Sequence, residues 1–106
     1  MATGRLGTAD LTAATDTTVY TVPASTFAVV SVSFCNRTTT PVNVRLALAA
    51  AGTPTADEYL EYDVELAPNG VVERTGIVMD TTKNIVARAS NSGVSCVVFG
   101  IETATA

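Results

Sequence analysis

Apolar and polar residues alternate along most of this chain, and the period is two. Residues 27–36, FAVVSVSFCN, set Val30, Val32 and Phe34 on one face and Ser31, Ser33 and Cys35 on the other. Residues 42–49, VNVRLALA, place Val42, Val44, Leu46 and Leu48 against Asn43 and Arg45. Residues 59–66, YLEYDVEL, put Leu60, Tyr62, Val64 and Leu66 inward, with Glu61, Asp63 and Glu65 on the wet side. This alternation marks half-buried strands. Further strands are expected at 17–22, 71–79, 84–89 and 94–102.

Turn chemistry separates these runs. Residues 37–41, RTTTP, form one turn, and Ala67-Pro68-Asn69-Gly70 forms another. In the second, Pro presets φ and the following Asn or Gly accepts positive φ. Gly76 inside its strand predicts a bulge. Residues 49–58 are the longest interruption and read as a loop, with room for one helical turn near 55–58 capped by Thr55. About seven strands at this spacing predict an all-β fold, an antiparallel β-sandwich of Ig-like or jelly-roll-like form. Residues 1–16 are small and polar apart from Leu6 and Leu11. They read as an extended N-terminal arm preceding a sandwich domain at 17–106, with the two leucines free to dock elsewhere.

Composition narrows the chemistry. The 106 residues suffice for one domain, and 47% hydrophobic against 15% charged residues supports a packed core. Thr, Ala and Val dominate, and stiff branched side chains suit pleated strands. A net charge of −4 with six scattered cations argues against nucleic acid, whose phosphates need clustered Lys and Arg. No apolar run reaches the roughly 18 residues of a membrane span, and the first residues show no signal-peptide core.

The row Glu61, Asp63, Glu65 is the one pattern with a catalytic look. Alternate residues on a strand stand about 7 Å apart, within the roughly 6.5–9.5 Å of inverting glycosidases. Any acidic strand has that spacing, the chain has no Trp to line a sugar groove, and a flat row offers a metal ion only one direction of approach. Cross-strand pairing of these carboxylates with Arg74, Arg45 or Arg88 is the expectation. With no histidine in the chain, Ser–His and Cys–His nucleophile arrangements are excluded. Cys35 and Cys96 are expected to be reduced and small-apolar in character. Asn36-Arg37-Thr38 fits a glycosylation acceptor, a weak signal without a secretory leader. The six aromatics, one or two per strand, are expected as core fillers.

Three stretches carry a resemblance. GRLGTADLTAATDTTVYTVPA, VSFCNRTTTPVNVRLALA and EYLEYDVELAPNGVVERTGIVMD together resemble a group of small virion proteins of tailed bacteriophages. The shared features are a small-residue arm, a TVYTVPA strand and turn, a CNRT corner and a PNGVxERTG hairpin. The resemblance implies a non-enzymatic structural protein without cofactor or metal, assembled in the host cytoplasm and carried in the virion. Its partners would be other virion proteins, either the major capsid protein or tail proteins. Capsid decoration or cement is the leading expectation, ahead of a tail, baseplate, collar or fibre part or a receptor- or glycan-binding module. A homo-oligomer is implied, trimers being a common symmetry for such components. Arg5, Leu6, Leu11, Tyr59, Glu61, Asp63, Glu65 and Arg74 are the expected interaction residues.

Overall fold

A computed structural model describes residues 2–105. Among them are eight strands: β1 (Thr3–Leu11), β2 (Thr17–Thr21), β3 (Thr26–Asn36), β4 (Val42–Ala49), β5 (Tyr59–Leu66), β6 (Val71–Met79), β7 (Asn84–Ala89) and β8 (Val94–Ala104). They form two antiparallel four-stranded sheets, ordered β1-β8-β3-β6 and β2-β7-β4-β5. Every connection except β4–β5 passes from one sheet to the other. This is the eight-stranded double-sheet order of a jelly roll, which selects between the two sandwich forms the sequence allowed.

The inward-facing residues of the two sheets meet in one core, where Val30, Val32 and Phe34 of β3 face Val42, Val44 and Leu46 of β4. Leu11, Leu66, Met79, Ile85 and Val98 complete it, each essentially solvent-free. The aromatics contribute less than expected: only Phe34 and Tyr20 are buried, while Phe27 and Tyr62 are exposed. Branched aliphatic side chains fill the space instead, because a narrow gap between sheets about 10 Å apart accepts Val and Ile without forcing rotamers.

The N-terminal segment is not a free arm. Thr3–Leu11 pairs with β8 from Thr3↔Ile101 to Leu11↔Val94, and Leu11 lies in the core at 1% exposure. Leu6 packs against the same core. The strand is poor in apolar residues because an edge strand with small side chains needs few anchors once the ladder supplies its backbone partners.

The bulges follow a pattern. The central pairs, β3–β8 and β4–β7, run without a register shift. Each of the four edge pairings carries at least one: between Arg5 and Gly7 in β1, between Thr18 and Tyr20 in β2, opposite Ser31 in β6 and opposite Arg45 in β5. Gly76, at φ +70, sits in the β6 bulge as its sequence position predicted. A bulge twists an edge away from any flat template, so all four edges are blunted against strand addition.

Candidate functional site

The acidic strand is resolved by its bulges. Beyond Glu65, paired with Asn43, the register of β5 slips twice, so Leu46 faces Glu61 and Ala47 faces Tyr59. Asp63 adopts φ +53, a left-handed conformation that Asp tolerates better than most residues. Strict alternation therefore fails, and Tyr62, expected inward, is 58% exposed. The three carboxylates also lose their common face. Glu61 accepts a hydrogen bond from Arg74 Nη1 at 2.9 Å, joining β5 of one sheet to β6 of the other. Asp63 takes Arg45 Nε at 2.6 Å and Nη2 at 3.2 Å. Glu65 is exposed.

Arg45 organises the outer face of the β2-β7-β4-β5 sheet. The Asp63 hydrogen bond holds the guanidinium protonated and draws the Asp63 carboxyl below the usual carboxylate range. The Tyr62 ring lies over the guanidinium at 4.1 Å, and Tyr59 meets Tyr62 edge-on with ring centres 5.0 Å apart. Tyr59 also covers Ala47, Ala49 and Val86, a small satellite of the core. Beside it the Ala56–Glu58 turn follows Thr55. Glu58 accepts the backbone N–H groups of Thr55 at 2.9 Å and Ala50 at 3.0 Å, which lowers its pKa. A shallow polar concavity of about 240 Å³ adjoins Arg45, lined by Ala14, Asn43, Asp63, Arg88 and Ser90. Its two guanidiniums already face carboxylates, since Arg88 stands 3.6 Å from Asp16. Asp63 thus answers Arg45 by hydrogen bonds, whereas Asp16 Oδ1 is buried near Arg88 without a hydrogen bond.

The outer face of the β1-β8-β3-β6 sheet is different in kind. Its two central strands present Phe27, Val29, Ser31, Ser33 and Cys35 from β3 beside Thr103, Ile101, Phe99, Val97 and Ser95 from β8. None of these ten residues is charged. Val78 lies beside Val29 on β6. Phe27, Ile101 and Val78 are 36%, 47% and 66% exposed. Arg5 and Asp10 flank this face on β1, Asp10 paired with Arg37, and Glu73 flanks it on β6.

The motifs behind the resemblance meet at a third place. Asn36 is fully buried at the CNRT corner. Its Nδ2 donates to the carbonyls of Thr40 at 2.8 Å and of Leu66 and Ala67 at 3.2 Å. Its Oδ1 accepts the Thr38 N–H at 3.0 Å and hydroxyl at 2.7 Å. The Asn36 N–H donates to Gly70 O, and Asn69 N–H to Thr38 O. The corner and the Pro-Asn-Gly turn are thus one hydrogen-bonded unit. Asn36 is committed to the interior, so the glycosylation pattern is one of sequence only. Sequence reasoning missed this role; the available signal was an amide ending a strand just before a Thr-rich turn, where a short polar side chain satisfies stray backbone groups.

Two further features were unanticipated. Tyr20 of β2 donates its hydroxyl to Glu102 Oε2 at 2.6 Å, and Glu102 Oε1 accepts the Ala2 N–H at 3.0 Å. Burial and the adjacent Glu102 raise the Tyr20 pKa, while the same hydrogen bond lowers that of Glu102. The two cysteines lie on opposite faces of neighbouring strands: Cys96 is buried, its thiol pushed up to about 12 by desolvation, and Cys35 points outward. Both are free thiols.

Of the expected interaction residues, Leu11 and Leu6 serve the core, Arg5 stands on the exposed edge strand, and Glu61 and Arg74 pair with each other. Tyr59 and Asp63 belong to the Arg45 cluster. No protein-family model matches this chain, and no curated protein or solved structure matches it either.

Proposed function

We propose that this protein is a non-enzymatic structural component of a tailed-bacteriophage virion, with capsid decoration or cement as its place. The observation that carries the reading is where the sequence spends its motifs. The CNRT and Pro-Asn-Gly elements behind the resemblance converge on Asn36 and build the fold, so the likeness is one of scaffold. The three most polar constellations (Asn36, Arg45–Asp63 and Tyr20–Glu102) are closed by partners within the chain. The outer face of the β1-β8-β3-β6 sheet remains open, uncharged along its two central strands and suited to protein contact. Jelly rolls occur among viral capsid domains, an analogy of fold that agrees with this reading. Purified particles of the encoding phage should contain the chain at many copies per virion by quantitative mass spectrometry. Its absence from intact particles would overturn the proposal.

The alternative with a structural observation behind it is a glycan-binding module. Jelly rolls also serve as lectins, and exposed Tyr62 stacks on Arg45, which with Asp63, Asn43 and Ser90 lines the polar hollow. Binding on a glycan array that is lost on Tyr62→Ala would favour it. An array without signal would remove it.

A further inference from the structure

We infer that the outer face of the β1-β8-β3-β6 sheet is a two-fold interface with a second copy of this chain. The argument begins with size. Four strands about 4.8 Å apart and eight residue steps of about 3.3 Å give a flat footprint of roughly 500 Å². Side-chain relief raises that toward the roughly 600–800 Å² per partner of a specific interface. The face is uncharged at its centre and apolar at its most exposed points, as the core of an interface is.

Register supplies the identity of the partner. Across the face β3 and β8 pair Phe27 with Thr103, Ser31 with Phe99, and Ser33 with Val97. Each of these pairs sets a large side chain beside a small one. A two-fold axis parallel to the strands, between β3 and β8, exchanges the two strands when a second copy is laid on the first. Phe27 then falls over the partner's Thr103, Phe99 over the partner's Ser31, and Val97 over the partner's Ser33. Val29 and Ile101, which are paired directly, fall on one another. Bulk meets gap at three of the five levels of the stripe, Val29 and Ile101 meet apolar on apolar, and Cys35 and Ser95 meet small on small, a self-complementary pattern of the kind an isologous contact needs.

The flanking charges follow the same symmetry. Among the described residues, Arg5 is the one cationic side chain outside an ion pair, and Glu73 is likewise unpaired. They sit on opposite edge strands, and the axis superposes those edges. Arg5 comes within one residue pair, about 7 Å along the strand, of the partner's Glu73; Asp10 lies one pair to the other side, with its carboxylate already held by Arg37. That is within reach of an arginine side chain. Sheets packed this way keep their strands within about 30° of one another. The blunted edges leave face-to-face contact as the route to self-association.

The inference deepens the proposed function by naming a surface, and its test needs no virion. Sedimentation equilibrium of the full chain at tens of micromolar should give twice the 10.9 kDa of one copy. Val78→Lys with Ile101→Lys, both at exposed positions, should return it to one copy with an unchanged circular dichroism spectrum. Arg5→Glu and Glu73→Arg should each weaken the dimer about three- to tenfold, and combining them should restore it. Cys35 gives a readout on the unaltered chain: its labelling by a maleimide should slow as protein concentration rises, while buried Cys96 stays silent. A monomer at 100 µM, on the order of what weak dimers need, would overturn the inference. So would an oligomer indifferent to these substitutions, or Cys35 labelling that ignores concentration. A dimer from a chain absent from its particle would refute the virion role and leave the interface standing. A monomer found in the particle would do the reverse.

Discussion

Replacing Asn36 by aspartate exchanges one NH2 for one oxygen and leaves the shape intact. The two N–H groups it removes serve three carbonyls, those of Thr40, Leu66 and Ala67. Each lost bond is worth about 1 kcal/mol net. Only the Leu66 contact is fully buried, while the Thr40 and Ala67 carbonyls keep the Thr38 hydroxyl and the Gly70 N–H as donors. Asn36→Ala should therefore lower stability by roughly 3–4 kcal/mol, a large share of the 5–15 kcal/mol typical of a domain. Asn36→Asp should be worse at pH 7, because it faces three carbonyl oxygens with a buried negative charge. The pH dependence is diagnostic. The introduced carboxyl has a folded pKa raised above its unfolded value, so its neutral form is the one the fold accepts. Relative to the parent protein, the deficit should be largest at neutral pH and shrink as pH falls through the carboxylate range. Urea titrations followed by far-ultraviolet circular dichroism at pH 7 and pH 4 measure both quantities. A loss under about 1 kcal/mol for either variant, or a deficit for Asn36→Asp equal at the two pH values, would refute the view of this corner as the joint of the fold.

Other consequences follow from the same structure. Leu11→Ala should cost about 2–5 kcal/mol, and deletion of residues 2–11 should unfold or aggregate the chain rather than release a dispensable arm, as thermal melts would show. Gly100→Ala should destabilise the central β3–β8 pair, since its Cβ would lie 2.1 Å from Val29 O, and a drop in melting temperature is the readout. The depressed carboxyls of Glu102 and Asp63 stabilise the fold above their unfolded pKa, and that contribution should be lost as pH falls through their lower folded values. Tyr20→Phe should cost about 1–2 kcal/mol and remove the Glu102 share of this acid sensitivity, measurable as a smaller shift in urea midpoint between pH 7 and pH 3. A double-mutant cycle on exposed Arg74 and Glu61 should return no more than about 1 kcal/mol of coupling.

Much of the architecture was legible because alternation is a local signal. β4 reads correctly from Val42 to Leu48, and Gly76 announced its bulge. β5 read correctly at Leu60, Val64 and Leu66, which pack on the core, but not at Tyr62, because two extra residues shift the register and nothing between Tyr59 and Asp63 marks them except an aspartate able to accept positive φ. β1 reads as an arm because most of its residues are held by backbone pairing with β8, which leaves no trace in hydrophobicity beyond Leu6 and Leu11. Glu61 and Asp63 meet arginines as expected, while Glu65 lies exposed, and the division of the row between two sheets depends on the crossing of the β5–β6 connection. The aromatics were placed in the core by their type, but burial is decided by strand face: Phe27 shares its face with Ser31 and Ser33, Phe34 with Val30 and Val32. The uncharged outer sheet face needed the β3–β8 register, a contact between residues far apart in sequence.

The most direct test is a near-atomic reconstruction of the intact particle by electron cryomicroscopy. The account requires density for this jelly roll on the virion, with Phe27, Val78 and Ile101 covered by a symmetry-related copy. Particles without such density, or copies whose uncharged sheet face lies open to solvent, would contradict it.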